Sequence, residues 1–153
     1  MKNVKALVIS LIISLGVGAI SGFLTRNSME LYNQLIIPKL APPGFVFPIV
    51  WTILYTLMGI SAYLVYISDS PYKRKALLTY AVQLMLNFIW PIIFFNFQLY
   101  FPAFFVLLLL LIFILLMIRN FYKVSPIAAY LQIPYLLWSL FAAYLNFEIA
   151  MFN

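Results

Sequence analysis

Five long apolar runs separated by short polar connections constrain the fold of this chain more than any other feature. They cover roughly residues 6–24, 43–67, 76–97, 101–118 and 127–152. A helix needs about 20 apolar residues to cross the hydrocarbon core of a bilayer, and each run approaches or exceeds that length. The sequence therefore predicts an all-α membrane protein, a five-transmembrane-helix bundle.

The scarcity of charge supports a bilayer environment. Only 8% of the residues are charged and 67% are hydrophobic, whereas a soluble domain carries about 25% charged residues. Water would leave that apolar surface uncovered, but lipid solvates it directly. Five spans use about 100 residues, so we expect one domain over residues 1–153, with no separate soluble domain.

The first apolar run has an alternative interpretation as a secretory signal peptide. Ala19-Ile20-Ser21 resembles the small-residue site at which signal peptides are cleaved. The run is longer than the usual apolar core of a signal peptide, however. We therefore favour a first transmembrane helix.

The distribution of Lys and Arg predicts the orientation of the bundle. With five spans, one side of the membrane carries Lys2, Lys5, Lys73, Arg74, Lys75, Arg119 and Lys123. The other side carries only Arg26 and Lys39. Because cytoplasmic loops are enriched in cations, we expect a multi-pass protein of the cell membrane with a cytoplasmic N-terminus. The first loop and the C-terminus would face outward.

Missing residue types exclude most catalytic chemistry. The chain has no Cys and no His, and its acids are only Glu30, Asp69 and Glu148. A thiolate nucleophile, an imidazole base, a carboxylate pair and a metal cluster all need more than this. We therefore expect no metal and no cofactor. We also expect no nucleic-acid partner, because the cations flank apolar runs and no basic aromatic platform exists.

Small residues on the first helix have two interpretations. Ser14, Gly18 and Gly22 follow one another at spacings of four. This spacing lets another helix backbone approach closely. The partner is either a second copy of the chain or another helix of the same bundle, and we favour packing inside the bundle.

The third helix carries a polar stripe. Gln83, Asn87 and Trp90 share one face at spacings of four and three. An amide in hydrocarbon is unfavourable unless it is paired, so Asn87 should point inward. Its role is either an interhelical hydrogen bond or the single polar anchor of an apolar pocket. Pro91 predicts a bend directly after this stripe.

Helices two and five carry aromatic stripes. Trp51 and Tyr55 lie four residues apart, as do Trp138 and the small residue Ala142, and Pro48 predicts a bend in helix two. We expect a cavity between helices two, three and five, with helix four as a mostly lipid-facing wall. The 19% aromatic content favours a flat conjugated ligand.

Three segments resemble a known family. They are PKLAPPGFVFPIVWTILY at residues 38–55, QLMLNFIW at 83–90 and WSLFAAYLN at 138–146. Together they resemble the motifs of the tryptophan-rich sensory protein or translocator protein family, once called the peripheral benzodiazepine receptor, over essentially the whole chain. The resemblance implies a five-helix bundle, commonly a homodimer, that binds protoporphyrin IX and other tetrapyrroles and synthetic benzodiazepine-site ligands.

The resemblance also implies a ligand pocket under the first loop. Carried over by motif, its lining is Tyr32, Pro42, Trp51, Asn87, Trp138 and Ala142. A light-dependent oxidative breakdown of bound porphyrin would depend on Trp51 and Trp138 as its catalytic residues. A transporter of porphyrins or other apolar molecules, and a ligand-state sensor, remain alternatives. The cholesterol-associated motif of mammalian members is doubtful here, because residues 147–153 contain no Lys or Arg.

Overall fold

A computed structural model describes residues 2–28, 34–36 and 38–153 of the chain. Glu30 and Tyr32 fall outside the described residues. The pocket role expected for Tyr32 therefore stays a prediction.

The described chain is a bundle of helices without a β-strand. Its elements are α1 (Lys2–Thr25), a 3-10 turn (Arg26–Ser28), α2 (Val46–Tyr66), α3 (Lys73–Pro91) with a π-helical extension (Ile92–Asn96), α4 (Tyr100–Val124), α5 (Pro126–Tyr130) and α6 (Ile133–Phe152). Counting α5 and α6 as one span, five helical segments are long and apolar enough to cross a membrane. This confirms the predicted fold class.

The two prolines expected to bend helices behave differently. Pro91 ends the regular part of α3, and the chain continues as a π-helical turn. Proline has no N–H and crowds the preceding turn, so a wider turn accommodates it. Pro48 lies in the first turn of α2, because that helix begins at Val46. A missing N–H costs no helical bond there, so Pro48 gives no cause for the expected bend.

Small residues bring α1 and α2 together. The Ser10 hydroxyl donates to the carbonyl of Gly59 at 2.7 Å. A Cβ on Gly59 would lie 2.7 Å from the Ser14 hydroxyl oxygen, so this position admits only glycine without a shift. Gly18 lies against the ring of Tyr55 in the same way. Ser14 and Gly18 thus serve packing within the bundle, which is the interpretation that the sequence favoured, whereas a Cβ on Gly22 would meet nothing within 4 Å.

Helix α4 is more than a lipid-facing wall. One of its faces is buried in the core of the bundle, where Leu107, Ile114 and Met117 are at most 1% exposed. Its opposite face, with Phe105 and Ile112, is more than half exposed. The expectation of a mostly lipid-facing wall therefore missed a buried face of eight among the 25 residues of this helix, because a Leu- and Ile-rich sequence does not reveal which face has a protein partner.

Candidate ligand-binding cavity

A cavity of about 680 Å³ lies in the half of the bundle nearest the first loop. Its walls come from the C-terminal half of α1, the N-terminal part of α2, the end of α3 and the middle of α6. The main lining side chains are Leu15, Ala19, Phe47, Pro48, Trp51, Tyr55, Asn87, Trp90, Phe94, Phe95, Trp138, Ala142, Leu145, Asn146 and Ile149. The sequence predicted three walls, and α1 is a fourth.

All three tryptophans of the chain line this cavity. The indole of Trp51 packs 5.7 Å from the Tyr55 ring and 6.4 Å from the Tyr135 ring, centroid to centroid. The Trp138 indole meets the Phe47 ring edge-on at 5.8 Å. Both indoles are half-buried, so each is held by aromatic neighbours and still presents surface to the cavity.

Asn87 joins three helices through a buried hydrogen-bond network. The Tyr55 hydroxyl donates to its side-chain oxygen at 2.5 Å. Its amide nitrogen donates to the Tyr135 hydroxyl at 2.7 Å, and that hydroxyl donates to the Gln83 side-chain oxygen at 2.7 Å. Asn87 is thus already satisfied by protein, as a polar group in hydrocarbon should be. It forms part of the cavity wall, and other polar side chains share that wall with it.

A second polar pair closes the wall between α3 and α6. The Trp90 indole N–H donates to the side-chain oxygen of Asn146 at 2.9 Å. The Asn146 amide donates in turn to the Tyr100 carbonyl at 2.9 Å. Because these partners fix both side chains, Trp90 is held as a rigid aromatic surface.

The hydroxyls on the wall also donate to protein acceptors. Thr52 donates to the carbonyl of Pro48 at 2.7 Å, and Thr25 donates to that of Ser21 at 3.0 Å. The indole nitrogen of Trp138 differs, since it has no hydrogen-bond partner among the described residues. It is buried away from the cavity space, so the indole presents ring surface and not its N–H to a bound molecule.

Arg26 is the charged residue among the described residues that line the cavity. It is exposed at the rim, just after α1 ends. Its guanidinium lies 3.7 Å from the centroid of the Phe23 ring, and one nitrogen donates to the Phe23 carbonyl at 2.6 Å. Arg26 thus places a cation at the rim of the cavity.

The described part of the first loop is tied to the C-terminal end of α6. The Asn153 side chain accepts from the backbone N–H of Ile36 and donates to the Ile36 carbonyl, both at 3.0 Å. Leu35 packs against the cluster of Phe94 and Ile149, which also line the cavity. The loop thus packs against residues of the cavity wall at this point.

Four of the predicted site residues lie on the cavity wall, namely Trp51, Asn87, Trp138 and Ala142. Pro42 is half-buried and is not among the lining residues. A position on the wall is not evidence of ligand binding, so the binding roles of these residues stay predictions.

Several lining residues escaped the sequence-based site prediction. Helix α1 contributes Gly18 and Gly22, whose spacing indicated only close packing. Phe94 and Phe95 lie beyond Pro91, where the π-helical turn carries them to the cavity. The available signal was the density of aromatic residues after Pro91, but no regular helical stripe passes through that turn.

Comparisons with known proteins agree with this architecture. Residues 9–152 match the model of the TspO/MBR family. The chain is 36% identical to the tryptophan-rich protein TspO of Chlorobaculum tepidum, over 99% of this chain and 98% of that protein. It is 35% identical to the protein of the same name in Archaeoglobus fulgidus, over 99% of both. It is 36% identical to the human translocator protein, over 94% of this chain and 87% of that protein. A match of this length, together with five spanning helices, shows that the chain belongs to the TspO/MBR family of membrane proteins.

Proposed function

We propose that the cavity under the first loop binds tetrapyrroles such as protoporphyrin IX, and also synthetic benzodiazepine-site ligands. The observation that carries the proposal is a cavity of about 680 Å³ on which all three tryptophans meet. Small-molecule sites are typically about 300–1,000 Å³, mostly apolar, with a few placed polar groups. Flat conjugated rings suit such a wall, because aromatic faces and edges attract one another beyond simple burial.

The polar groups narrow the ligand class further. Most polar side chains on the wall already donate to protein acceptors, so a ligand gains little by hydrogen bonding to them. Trp138 offers aromatic surface, and Arg26 offers a cation at the rim. A planar apolar body with a carboxylate near Arg26 fits this arrangement, and protoporphyrin IX carries two carboxylates on an apolar ring.

The bound ring would be open to light-dependent oxidation. One dioxygen molecule adds across the double bond between a methine carbon and the neighbouring pyrrole carbon of the excited porphyrin. That carbon–carbon bond then breaks, and each of the two carbons keeps one oxygen atom as a carbonyl. No other oxidant is needed, and the step requires neither His nor Cys, which the chain lacks. Trp51 and Trp138 would act as the catalytic residues, because their half-buried indoles line the space that the ring would fill.

A titration of the purified protein with protoporphyrin IX, followed by porphyrin absorbance, tests binding. Trp138→Phe replaces the indole by a smaller ring, and an aromatic pair contributes about 0.5–1.5 kcal/mol beyond its buried area. We therefore expect a two- to tenfold weaker affinity. Tyr122→Phe is the control, because Tyr122 lies at the other end of the bundle and outside the cavity lining. Unchanged affinity in both Trp51→Phe and Trp138→Phe would exclude this cavity as the site.

Illumination of the complex tests the chemistry separately from binding. With porphyrin saturating, Trp51→Phe combined with Trp138→Phe should slow its loss relative to wild type. Equal rates at equal occupancy would show that the tryptophans do not promote the reaction, while leaving the binding proposal intact.

The dimethyl ester of protoporphyrin tests the cationic rim. Arg26→Gln should weaken binding of the free acid and leave the ester unaffected, since only the acid carries charge. Lys39→Gln removes an exposed cation of the same loop that is not among the lining residues, and it should affect neither ligand. Equal losses for acid and ester in Arg26→Gln would contradict an electrostatic role.

We also propose the orientation and assembly expected from the sequence, namely a cytoplasmic N-terminus in the cell membrane and a homodimer. The clustering of cations at the end where α3 begins supports the orientation. Because the chain has no Cys, single cysteines at Asp69 and Gly44 report on opposite ends. An impermeant thiol reagent added to intact cells should label Gly44→Cys and not Asp69→Cys. Cross-linking in membranes would show whether a dimer exists.

A further inference from the structure

Two lysine side chains are held over tyrosine rings at the end of the bundle opposite the cavity. The ammonium of Lys73, at the start of α3, lies 4.7 Å from the centroid of Tyr66, the last residue of α2. The ammonium of Lys123, at the end of α4, lies 5.4 Å from the centroid of Tyr72. Tyr72 directly precedes Lys73, so three helices bring both cations to one place.

These cations are not neutralised by nearby acids in the sequence. Lys73, Arg74 and Lys75 form the first turn of α3, which contains no acidic residue. The N-terminus of a helix carries a partial positive charge and favours anions. Three cations in this first turn are therefore repelled by that partial charge and by one another. Asp69 is the one acid between α2 and α3, and it is exposed. This end therefore has an excess of positive charge that an external anion would relieve.

The surrounding tyrosines place the lysines at the level of lipid headgroups. Tyr66, Tyr72, Tyr122 and Tyr130 are 49–61% exposed, although each adjoins an apolar helix. Tyrosine at the ends of spanning helices sits at the boundary between hydrocarbon and headgroups. Cations at that depth face phosphate groups and not bulk solution.

The contacts with the rings distinguish Lys73 and Lys123 from the other cations at this end. A lysine over an aromatic face gives up part of its freedom before any ligand arrives, so less entropy is lost when it binds an anion. Arg74 and Lys75 are exposed, and no contact of this kind holds them among the described residues. The positive-inside rule accounts for cations at this end but not for their arrangement around a tyrosine pair.

We propose that Lys73 and Lys123, held over Tyr66 and Tyr72, form a binding site for the phosphate of an anionic phospholipid. The site is separate from the cavity and does not depend on the function proposed for it. Basic sites at helix ends are a known means of holding anionic lipids. The tyrosine rings would cover the glycerol region of the lipid while the two ammonium groups share its phosphate.

Lipid binding to delipidated protein in a neutral detergent, followed by native mass spectrometry, tests the site. The probes are phosphatidylglycerol, which is anionic, and phosphatidylcholine, which is zwitterionic. A charge-assisted hydrogen bond to a phosphate contributes at least about a tenfold change in affinity, so Lys73→Gln with Lys123→Gln should lower phosphatidylglycerol affinity by at least about tenfold. Phosphatidylcholine should bind weakly to all variants, and inorganic phosphate should not displace the anionic lipid.

The matched control removes the same charge at the same end of the bundle. Arg74→Gln with Lys75→Gln should lower phosphatidylglycerol affinity by less than about threefold, since neither side chain is held over a ring. Equal losses in the two double variants would overturn the proposal in favour of diffuse attraction. Tyr66→Leu with Tyr72→Leu leaves the charge unchanged and should still weaken binding severalfold. Full affinity in that variant would also overturn it. Circular dichroism confirms that each variant is folded.

Discussion

The two glycines of α1 that lie one turn apart should respond in opposite directions to the same substitution. A Cβ on Gly18 would overlap the ring of Tyr55, whose hydroxyl donates to Asn87. A Cβ on Gly22 would meet nothing within 4 Å. Gly18→Ala therefore adds a methyl group to a space that Tyr55 already fills, whereas Gly22→Ala adds one to an empty space.

The expected magnitudes follow from three contributions. Alanine is favoured over glycine in a helix by about 0.8–1.0 kcal/mol, and this gain applies at both positions. Overpacking at Gly18 costs about 1–3 kcal/mol. Displacing Tyr55 also weakens its bond to Asn87, and such interhelical bonds in membrane proteins average about 0.6 kcal/mol. We expect Gly18→Ala to destabilise the fold by up to about 3 kcal/mol, and Gly22→Ala to stabilise it by up to about 1 kcal/mol.

Equilibrium unfolding in mixed micelles of mild detergent and dodecyl sulfate, followed by circular dichroism, measures both changes. Tyr55→Leu on the Gly18→Ala background removes the clashing ring and should recover part of the lost stability. A change of the same sign and size at both glycines would refute the packing argument. Equal loss of cross-linked dimer in both variants, without a change in stability, would assign the glycine pair to an interface between two copies.

Three further predictions concern other hydrogen bonds and one strained residue. Asn87→Leu and Tyr55→Phe should be coupled in a double-mutant cycle by about 0.6–1.7 kcal/mol, and additive unfolding energies would contradict their bond. Gln98 has a φ of 55° in the turn between α3 and α4, so Gln98→Gly should stabilise by about 1 kcal/mol; an unchanged or lowered unfolding energy would contradict the strain. Asn153→Ala removes both side-chain bonds to Ile36, so amide exchange at Ile36 should speed up while exchange within α4 does not; equal rates to wild type would show that this contact does not hold the loop.

Hydropathy and helical spacing predicted a large part of this molecule. The five spans follow from apolar length alone, because the bilayer sets that length. The inward direction of Asn87 follows from the cost of an unpaired amide in hydrocarbon. Its partners did not follow, since Tyr55 and Tyr135 lie 32 and 48 residues away in the chain. Spacing specifies a face of one helix and does not specify which face of another helix meets it.

The errors have physical causes that are specific to membrane helices. A helix in lipid can be apolar on all sides. The residue types of α4 therefore do not distinguish its buried face from its lipid-facing side. The contribution of α1 to the cavity was hidden for a related reason. Gly18 and Gly22 share one spacing, yet one packs against Tyr55 and the other borders open space. The difference depends on which neighbour each glycine meets, which only the packing of the bundle determines.

The hydrogen bonding of the cavity wall would let one site accept both of the proposed ligand classes, tetrapyrroles and benzodiazepine-site compounds. Asn87 and Trp90 make their bonds to protein, so neither imposes a donor or acceptor pattern on the ligand. A site that reads hydrogen bonds rejects analogues that leave its polar groups unpaired, because unpaired buried groups are costly. A wall with satisfied polar groups selects mainly by shape and by aromatic contact. Discrimination by charge would then fall to the Arg26 guanidinium at the rim, which is where a substitution should separate acidic ligands from neutral ones.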